Sequence, residues 1–108
     1  LIFVVQILFN LIVNASQAMR SQSERAELYL HVSLLDSNVI IDVSDNGSGI
    51  PEDKLINLFT PFYTTKTQGT GLGLVLSRNL ALKMGGNLEY LVTSNKKGAC
   101  FRVSLPVV

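Results

Sequence analysis

Two glycine-rich runs are the residues of this 108-residue chain best suited to contacting a phosphorylated ligand. They are residues 45–50, which read DNGSGI, and residues 69–74, which read GTGLGL. Together they hold five of the eight glycines, and each precedes a predicted helix. Glycine lets the main chain approach a ligand closely, and successive backbone N–H groups at a helix N-terminus bind anions. Both runs therefore predict phosphate contacts.

A stripe of amide side chains marks the predicted first helix, residues 1–20. This segment is nearly all apolar, but it carries Gln6, Asn10, Asn14 and Gln17 at spacings of 4, 4 and 3 residues. Such spacing gathers the four amides on one narrow face of a helix. A solvent-exposed face would carry charges, so the amides are predicted to face something polar inside the molecule. The alternative is that they cap or bridge parts of the core.

The next segments alternate with a period of two, which predicts two strands joined by a turn at residues 36–38. In the first strand one face consists of Leu28, Leu30, Val32 and Leu34, and Val39, Ile41 and Val43 continue this inward face in the second. The same parity directs Asp45 toward the core and Asp42 away from it. A carboxylate in a core is costly without a partner, so Asp45 is a candidate for ligand binding.

The remaining segments predict an α+β fold. A helix is expected to start at Pro51, a mobile loop to span residues 59–68, and another helix to span residues 71–84 before Gly85 and Gly86. Two alternating strands follow, separated by a turn at residues 94–98. This order predicts a two-layer sandwich with a mixed, mostly antiparallel sheet covered on one face by about three helices.

Composition excludes several classes of protein. The chain is 47% apolar and 16% charged, which is typical of a globular domain rather than a disordered tail. A net charge of +1 does not indicate nucleic-acid binding. The single cysteine, Cys100, cannot form an internal disulfide and is expected in the core. Amides interrupt the apolar first segment before it reaches the length of a membrane span, and without an initiator Met the chain is expected to be a fragment of a longer protein.

Four motifs in this order resemble the boxes of sensor histidine kinases. Residues 6–18 resemble the N box, 45–51 the G1 box, 59–66 the F box and 69–74 the G2 box, and residues 98–106 resemble the usual last strand. The resemblance implies that residues 1–108 are the catalytic and ATP-binding domain of a two-component histidine kinase, with a Bergerat-type ATP-binding fold. The same superfamily includes gyrase, the ninety-kilodalton heat-shock chaperones and mismatch-repair proteins.

The resemblance also implies roles for individual residues. Asn14 corresponds to the Mg²⁺ ligand, Asn10 to a residue of the phosphate region, and Asp45 to the acceptor of a hydrogen bond from the adenine amino group. Asn10, Asn14 and Lys66 are the implied catalytic residues. The implied nucleotide contacts are Asn10, Asn14, Ala18, Asp45, Gly47, Gly49, Ile50, Tyr63, Thr64, Thr65, Lys66, Gly69, Thr70, Gly71, Leu72, Gly73 and Leu74.

The implied function is to bind ATP with Mg²⁺ and to donate the γ-phosphoryl group to a histidine elsewhere. Family members that hydrolyse ATP have a glutamate base where this chain has Asn10, and an amide cannot accept a proton at neutral pH, so rapid hydrolysis is not expected. The only histidine, His31, lacks the neighbours of the family's acceptor box. The expected partners are an upstream dimerisation and phosphoacceptor domain and, indirectly, the receiver domain of a response regulator. The expected location is cytoplasmic, without direct membrane or nucleic-acid contact.

Two other functions fit the same motifs. One is an anti-sigma-factor-type serine kinase that binds ATP and sequesters a protein partner, although that class typically keeps an acidic residue near Asn10. The other is a pseudokinase that only binds nucleotide, which the presence of Asn14, Asp45 and the glycines disfavours.

Overall fold

A four-stranded sheet and two α-helices form the described part of the chain. The computed structural model describes residues 2–19, 25–50, 52–60, 73–92 and 98–107. The strand order is β1-β2-β4-β3, and all three pairings are antiparallel, which confirms the predicted α+β class. The elements are α1 (Ile2–Ala18), β1 (Leu28–Leu35), β2 (Asn38–Asp45), a 3₁₀ helix (Glu52–Asn57), α2 (Gly73–Lys83), β3 (Asn87–Leu91) and β4 (Cys100–Pro106).

The hydrophobic core lies between the two helices and strands β2, β3 and β4. Its helical members share the face of α1 or α2 that is turned toward the sheet, and its strand members alternate along β2 and β4. This alternation confirms the predicted inward face of the second strand. The buried cluster comprises Ile7, Leu11, Ile41, Val43, Ala81, Leu88, Ala99, Phe101, Val103 and Leu105.

A two-residue turn fixes the register of β1 against β2. Asp36 and Ser37 have φ values of 50° and 66°, the left-handed conformation of a turn whose twist matches that of the strands. The resulting register places Leu28 opposite Asp45 and Leu30 opposite Val43. Directly opposite residues share one side of a sheet, so Asp45 lies on the helix-covered side as its parity predicts.

The prediction that the apolar face of β1 is buried is wrong. Leu30, Val32 and Leu34 lie on the helix-covered side, but they are 53%, 65% and 71% exposed. β1 is one of the two edge strands, and the buried cluster takes no member from it, whereas β3, the other edge strand, contributes Leu88.

This exposure predicts unequal costs for two apolar substitutions. Leu34→Thr should change the free energy of unfolding by less than about 0.5 kcal/mol, because the side chain contributes little buried area. Leu88→Ala should cost about 2–5 kcal/mol, because Leu88 is 1% exposed and its loss leaves a cavity. Chemical denaturation of the two variants measures both values. A cost for Leu34→Thr equal to that of Leu88→Ala would show that β1 is covered in solution.

The end of α2 matches the predicted stop at two glycines. Gly85 has a φ of 82°, and its N–H donates to the Leu82 carbonyl at 3.0 Å. The N–H of Gly86 donates to the Ala81 carbonyl at 2.9 Å, which completes a Schellman motif. The predicted helix after Pro51 is instead the short 3₁₀ helix Glu52–Asn57. The predicted loop and the turn between the last two strands lie largely outside the described residues.

Candidate functional site

Asp45 is a buried carboxylate held by backbone donors. It ends β2 with 6% exposure. Its Oδ1 accepts hydrogen bonds from the backbone N–H of Gly47 at 2.8 Å and from that of Ala99 at 3.3 Å. Within the described residues these bonds all go to Oδ1, so Oδ2 is the oxygen placed to accept from a donor on a ligand. This geometry supports the predicted ligand role of Asp45.

The loop after Asp45 packs against the end of α1. A Cβ on Gly47 would lie 3.0 Å from Asp45 Oδ1 and 3.2 Å from the carbonyl oxygen of Ala18. A side chain at this position would thus press on both the carboxylate and the helix end. The structure therefore brings together Ala18, Asp45 and Gly47, three of the predicted site residues.

Tyr90 anchors the far end of this loop, and sequence reasoning missed it. Its ring packs edge-on against Phe101, with ring centroids 5.4 Å apart, and its hydroxyl is hydrogen-bonded to the backbone of Ile50. Burial raises the pKa of the Tyr90 hydroxyl above its ordinary value, against a smaller opposing effect of that hydrogen bond. This contact places Tyr90 beside Ile50, the predicted apolar wall. The available signal was its alternation with Leu88 in β3.

The amide stripe of α1 meets a polar partner on α2. Asn10 Nδ2 donates to Ser77 Oγ at 3.0 Å, and Ser77 is 0% exposed. Asn14 lies one turn further along the same face and is half-buried, whereas Gln6 is exposed. At Asn10 the polar partner is a side chain of α2, which is the bridging arrangement given as the alternative, and contact of the stripe with a ligand stays a prediction. Sequence reasoning missed Ser77. The available signal was its position four residues before Ala81, which places both residues on one face of the helix.

Arg78 connects α2 to the start of the predicted F box. Its guanidinium carbon lies 4.8 Å from the centre of the Phe59 ring, a cation–π distance. Its Nε is buried, and among the described residues it has no hydrogen-bond partner. The neighbouring residues Ser77 and Arg78 of α2 thus contact α1 and Phe59, respectively.

The opposite face of the sheet carries an ion pair remote from these residues. Arg102 donates from Nε to Asp42 Oδ1 at 2.8 Å and from a terminal nitrogen to Oδ2 at 3.0 Å, which confirms that Asp42 points outward. Asp42 raises the pKa of the Arg102 guanidinium, chiefly through these hydrogen bonds. Cys100 also lies on this face and accepts from Ser44 Oγ, so its expected place in the core is wrong. His31 is exposed and lies opposite Asp42.

The start of α2 contains the last two predicted contacts that the structure describes. Leu74 is partly buried against the core, and Gly73 is exposed, with no atom of the described part of the chain within 4 Å of the position of a Cβ. Gly49, with a φ of 78°, lies near the Gly98 carbonyl. The other predicted contacts lie outside the described residues: Tyr63, Thr64, Thr65, Lys66, Gly69, Thr70, Gly71 and Leu72.

The amide side chains of α1 fit a cation whose other ligands are water and phosphate oxygens. Among residues 2–19, 25–50, 52–60, 73–92 and 98–107, no cluster of three or more His, Cys, Asp or Glu side chains could hold a metal. Mg²⁺ at phosphate sites typically takes one or two protein oxygens and completes its octahedron with water and phosphate oxygens. The side-chain oxygen of Asn14, the predicted Mg²⁺ ligand, suits that arrangement.

Comparison with known proteins identifies the family. The whole chain, residues 1–108, matches the family described as histidine kinase-, DNA gyrase B- and HSP90-like ATPase. The chain belongs to this ATPase family. The resemblance drawn from the four boxes is thereby confirmed.

Sensor kinases are among the relatives of this ATPase domain. It is 38% identical over 102 residues to the sensor histidine kinase ZraS of Escherichia coli K12, covering 94% of this chain and 21% of that protein. It is 41% identical over 102 residues to the sensor protein FixL of Bradyrhizobium diazoefficiens, covering 94% and 20%. The chain therefore spans about a fifth of the length of these curated relatives.

Solved histidine kinases share the fold. The catalytic domain of ThkA superimposes with a TM-score of 0.79 at 32% identity, covering 96% of this chain and 66% of that one. Full-length ShkA in complex with AMPPNP superimposes with a TM-score of 0.77 at 30% identity, covering 96% of this chain and 21% of that one.

In the part of the chain that the structure describes, neither helix has the length and apolar character needed to cross a membrane.

Proposed function

We propose that this chain is the ATP-binding catalytic module of a two-component sensor histidine kinase. It binds ATP with Mg²⁺ and donates the γ-phosphoryl group to a histidine on a separate dimerisation domain, from which a response regulator receiver domain takes it. The observation that carries the proposal is Asp45, a buried carboxylate oriented by the backbone at the end of β2. The AMPPNP complex of the structurally similar ShkA supports the nucleotide assignment.

The base is recognised at Asp45 and the loop that follows it. The Gly47 and Ala99 amides satisfy Oδ1, so the other oxygen can accept a hydrogen bond from the 6-amino group of adenine. Gly47 leaves space beside the carboxylate, and Ile50, hydrogen-bonded to Tyr90, forms an apolar wall. A hydrogen-bonding site of this kind discriminates well against a base with a different group at this position.

The phosphates extend toward α1 and the N-terminus of α2. Asn14 would hold Mg²⁺, which supplies charge neutralisation on the phosphates, Asn10 would line the phosphate region, and the first amides of α2 beside Gly73 would donate to phosphate oxygens. We assign Lys66 and the residues around it to the same phosphates on the basis of the F-box and G2-box motifs. Phosphoryl transfer depends mainly on such positioning and charge neutralisation.

The residue at position 10 separates transfer from hydrolysis. Asn10 has no basic atom, and its nitrogen donates to Ser77, so it cannot take a proton from an attacking water. The acceptor is therefore a stronger nucleophile delivered by another domain. During transfer the bond from the γ-phosphorus to the bridging oxygen of ADP breaks, and a bond to an imidazole nitrogen of the acceptor forms.

Binding without turnover is the expected result for the isolated chain. Isothermal titration should show ATP and ADP binding that strengthens with Mg²⁺, because the site contains both base and phosphate contacts. Incubation with γ-labelled ATP should leave no stable label on the chain and release phosphate no faster than a no-protein control. Stable labelling of the purified 108-residue chain would contradict the assignment of the acceptor to another domain.

A further inference from the structure

The carboxylate of Asp45 depends on the shape of a short turn that it closes itself. Its Oδ1 accepts from the N–H of Gly47, two residues along the chain, at 2.8 Å, which is the bond of an Asx turn. A Cβ on Gly47 would lie 3.0 Å from the same oxygen, so the turn is tightly packed. The middle residue of this turn is Asn46, and its backbone decides whether the Gly47 N–H stays within reach of the carboxylate.

Both polar ends of the Asn46 side chain are bonded to the segment that leads into β1. Its Oδ1 accepts from the backbone N–H of Glu27 at 2.9 Å, and its Nδ2 donates to the backbone carbonyl of Arg25 at 2.7 Å. A backbone N–H can only donate and a backbone carbonyl can only accept, so these two partners together fix the orientation of the amide. The backbone N–H of Asn46 adds a third bond, to the Glu27 carbonyl at 3.2 Å.

The backbone of Asp45 is held on its other side by the start of β4. Its N–H donates to the Ala99 carbonyl at 2.9 Å, and a Cβ on Gly98 would lie 1.9 Å from its backbone oxygen. This contact fixes Asp45 itself but does not reach the rest of the turn. Among the described residues, the bonds of Asn46 to residues 25–27 are the ones that tie the middle of the turn to the sheet.

We propose that Asn46 is a positioning residue for recognition of the base. Its side chain holds the turn against residues 25–27, which keeps the Gly47 N–H on Oδ1 of Asp45 and leaves Oδ2 directed at the base. The inference rests on the proposed function, because it requires adenine to bind at Oδ2. Asn46 acts through Asp45, since the protein backbone engages both ends of its own amide.

The first test measures the choice between two bases. Inosine triphosphate has an oxygen in place of the amino group of adenine, and the wild type should prefer ATP. Asn46→Ala should lower this preference about threefold or more, the factor expected when a net hydrogen bond is lost. A purely structural effect lowers both affinities by the same factor and leaves their ratio unchanged.

A matched control comes from the other end of β2. The side-chain nitrogen of Asn38 also donates to a backbone carbonyl, that of Asp36 at 3.5 Å, so Asn38→Ala removes a similar bond and should keep the wild-type preference. If Asn46→Ala does not fold, Asn46→Asp carries the same test. It keeps the acceptor for Glu27 and loses only the donor to Arg25, so its preference should lie below that of the wild type.

Two further measurements show whether Asn46 acts through Asp45. In an Asp45→Asn background the contact that Asn46 positions is already lost, so adding Asn46→Ala should not lower the preference for ATP further. Amide hydrogen exchange of Asn46→Ala without nucleotide should be about tenfold or more faster than wild type at Gly47, because its N–H is no longer held on Oδ1. Exchange at Val103, in the central strand β4, should stay unchanged.

The possible results separate this inference from the function on which it rests. A wild type that binds inosine triphosphate as well as ATP would overturn the proposed base site. A wild-type preference in Asn46→Ala, with the wild type preferring ATP, would overturn only the inference. Exchange that quickens at Val103 as much as at Gly47, or an undiminished effect of Asn46→Ala in the Asp45→Asn background, would show that Asn46 serves the fold and would also overturn it.

Discussion

Asp45→Asn should weaken ATP binding by about 1–3 kcal/mol, which corresponds to about 5- to 150-fold, both with and without Mg²⁺. The asparagine oxygen can still accept the Gly47 and Ala99 amides, so the loop should keep its shape. The NH₂ group then replaces Oδ2 and opposes the adenine amino group, donor against donor. The loss therefore comes from recognition of the base, and the thermal midpoint without nucleotide should change little.

A change of base tests the same contact from the ligand side. Inosine triphosphate has an oxygen where ATP has the amino group, so the wild type should bind it more weakly than ATP, and Asp45→Asn should reduce or reverse that preference. Asp42→Asn is the matched control, because Asp42 pairs with Arg102 on the opposite face of the sheet. An unchanged preference for ATP in Asp45→Asn would remove Asp45 from the base site.

Asn14→Ala should affect a different property. Asn14 is half-buried on the stripe that carries Asn10, and its proposed role is to bind Mg²⁺ through its oxygen. Its loss should abolish most of the gain in ATP affinity that Mg²⁺ provides, while binding without metal stays close to wild type. Titrations at several Mg²⁺ concentrations measure this gain. Equal losses for Asn14→Ala and Asp45→Asn, irrespective of metal, would show that the two roles are wrongly assigned.

Local periodicity predicted the features that depend on neighbouring residues in the chain. The alternation in β2 placed Asp45 on the covered side and Asp42 on the open side, because strand parity is a local property. The same reasoning predicted a turn at residues 36–38, and the structure confines it to Asp36 and Ser37, with Asn38 already in β2. The other candidate site residues were predicted from their positions in the four motifs that resemble the boxes of histidine kinases.

Features that depend on position in the fold did not follow from periodicity. Val32 and Ile41 are opposite each other and both belong to an apolar alternation, yet only Ile41 is buried, because the core beneath the helices takes its strand residues from β2, β3 and β4 and none from β1. Ser77 and Tyr90 contact Asn10 and Ile50 across long sequence separations, and nothing in their own segments specifies those partners. Packing between elements decides both kinds of feature.

Gly73→Ala should weaken ATP binding without lowering the free energy of unfolding. Gly73 opens α2 and is exposed, and among the described residues no atom lies within 4 Å of where a Cβ would lie. No described contact therefore requires glycine here, and alanine should leave the free energy of unfolding unchanged or raise it by at most about 1 kcal/mol. A phosphate bound to the first amides of α2 would meet the new methyl group, so ATP affinity should fall about tenfold or more while adenosine affinity stays the same.

Gly86 provides the opposite control within the same chain. A Cβ on Gly86 would lie 1.8 Å from the backbone oxygen of Ser104, so Gly86→Ala must displace the backbone where the end of α2 meets β4. Its thermal midpoint should fall, and its ratio of ATP to adenosine affinity should remain that of the wild type. If Gly73→Ala instead lowers the thermal midpoint and leaves that ratio unchanged, Gly73 serves the fold, and the phosphates do not bind at the start of α2.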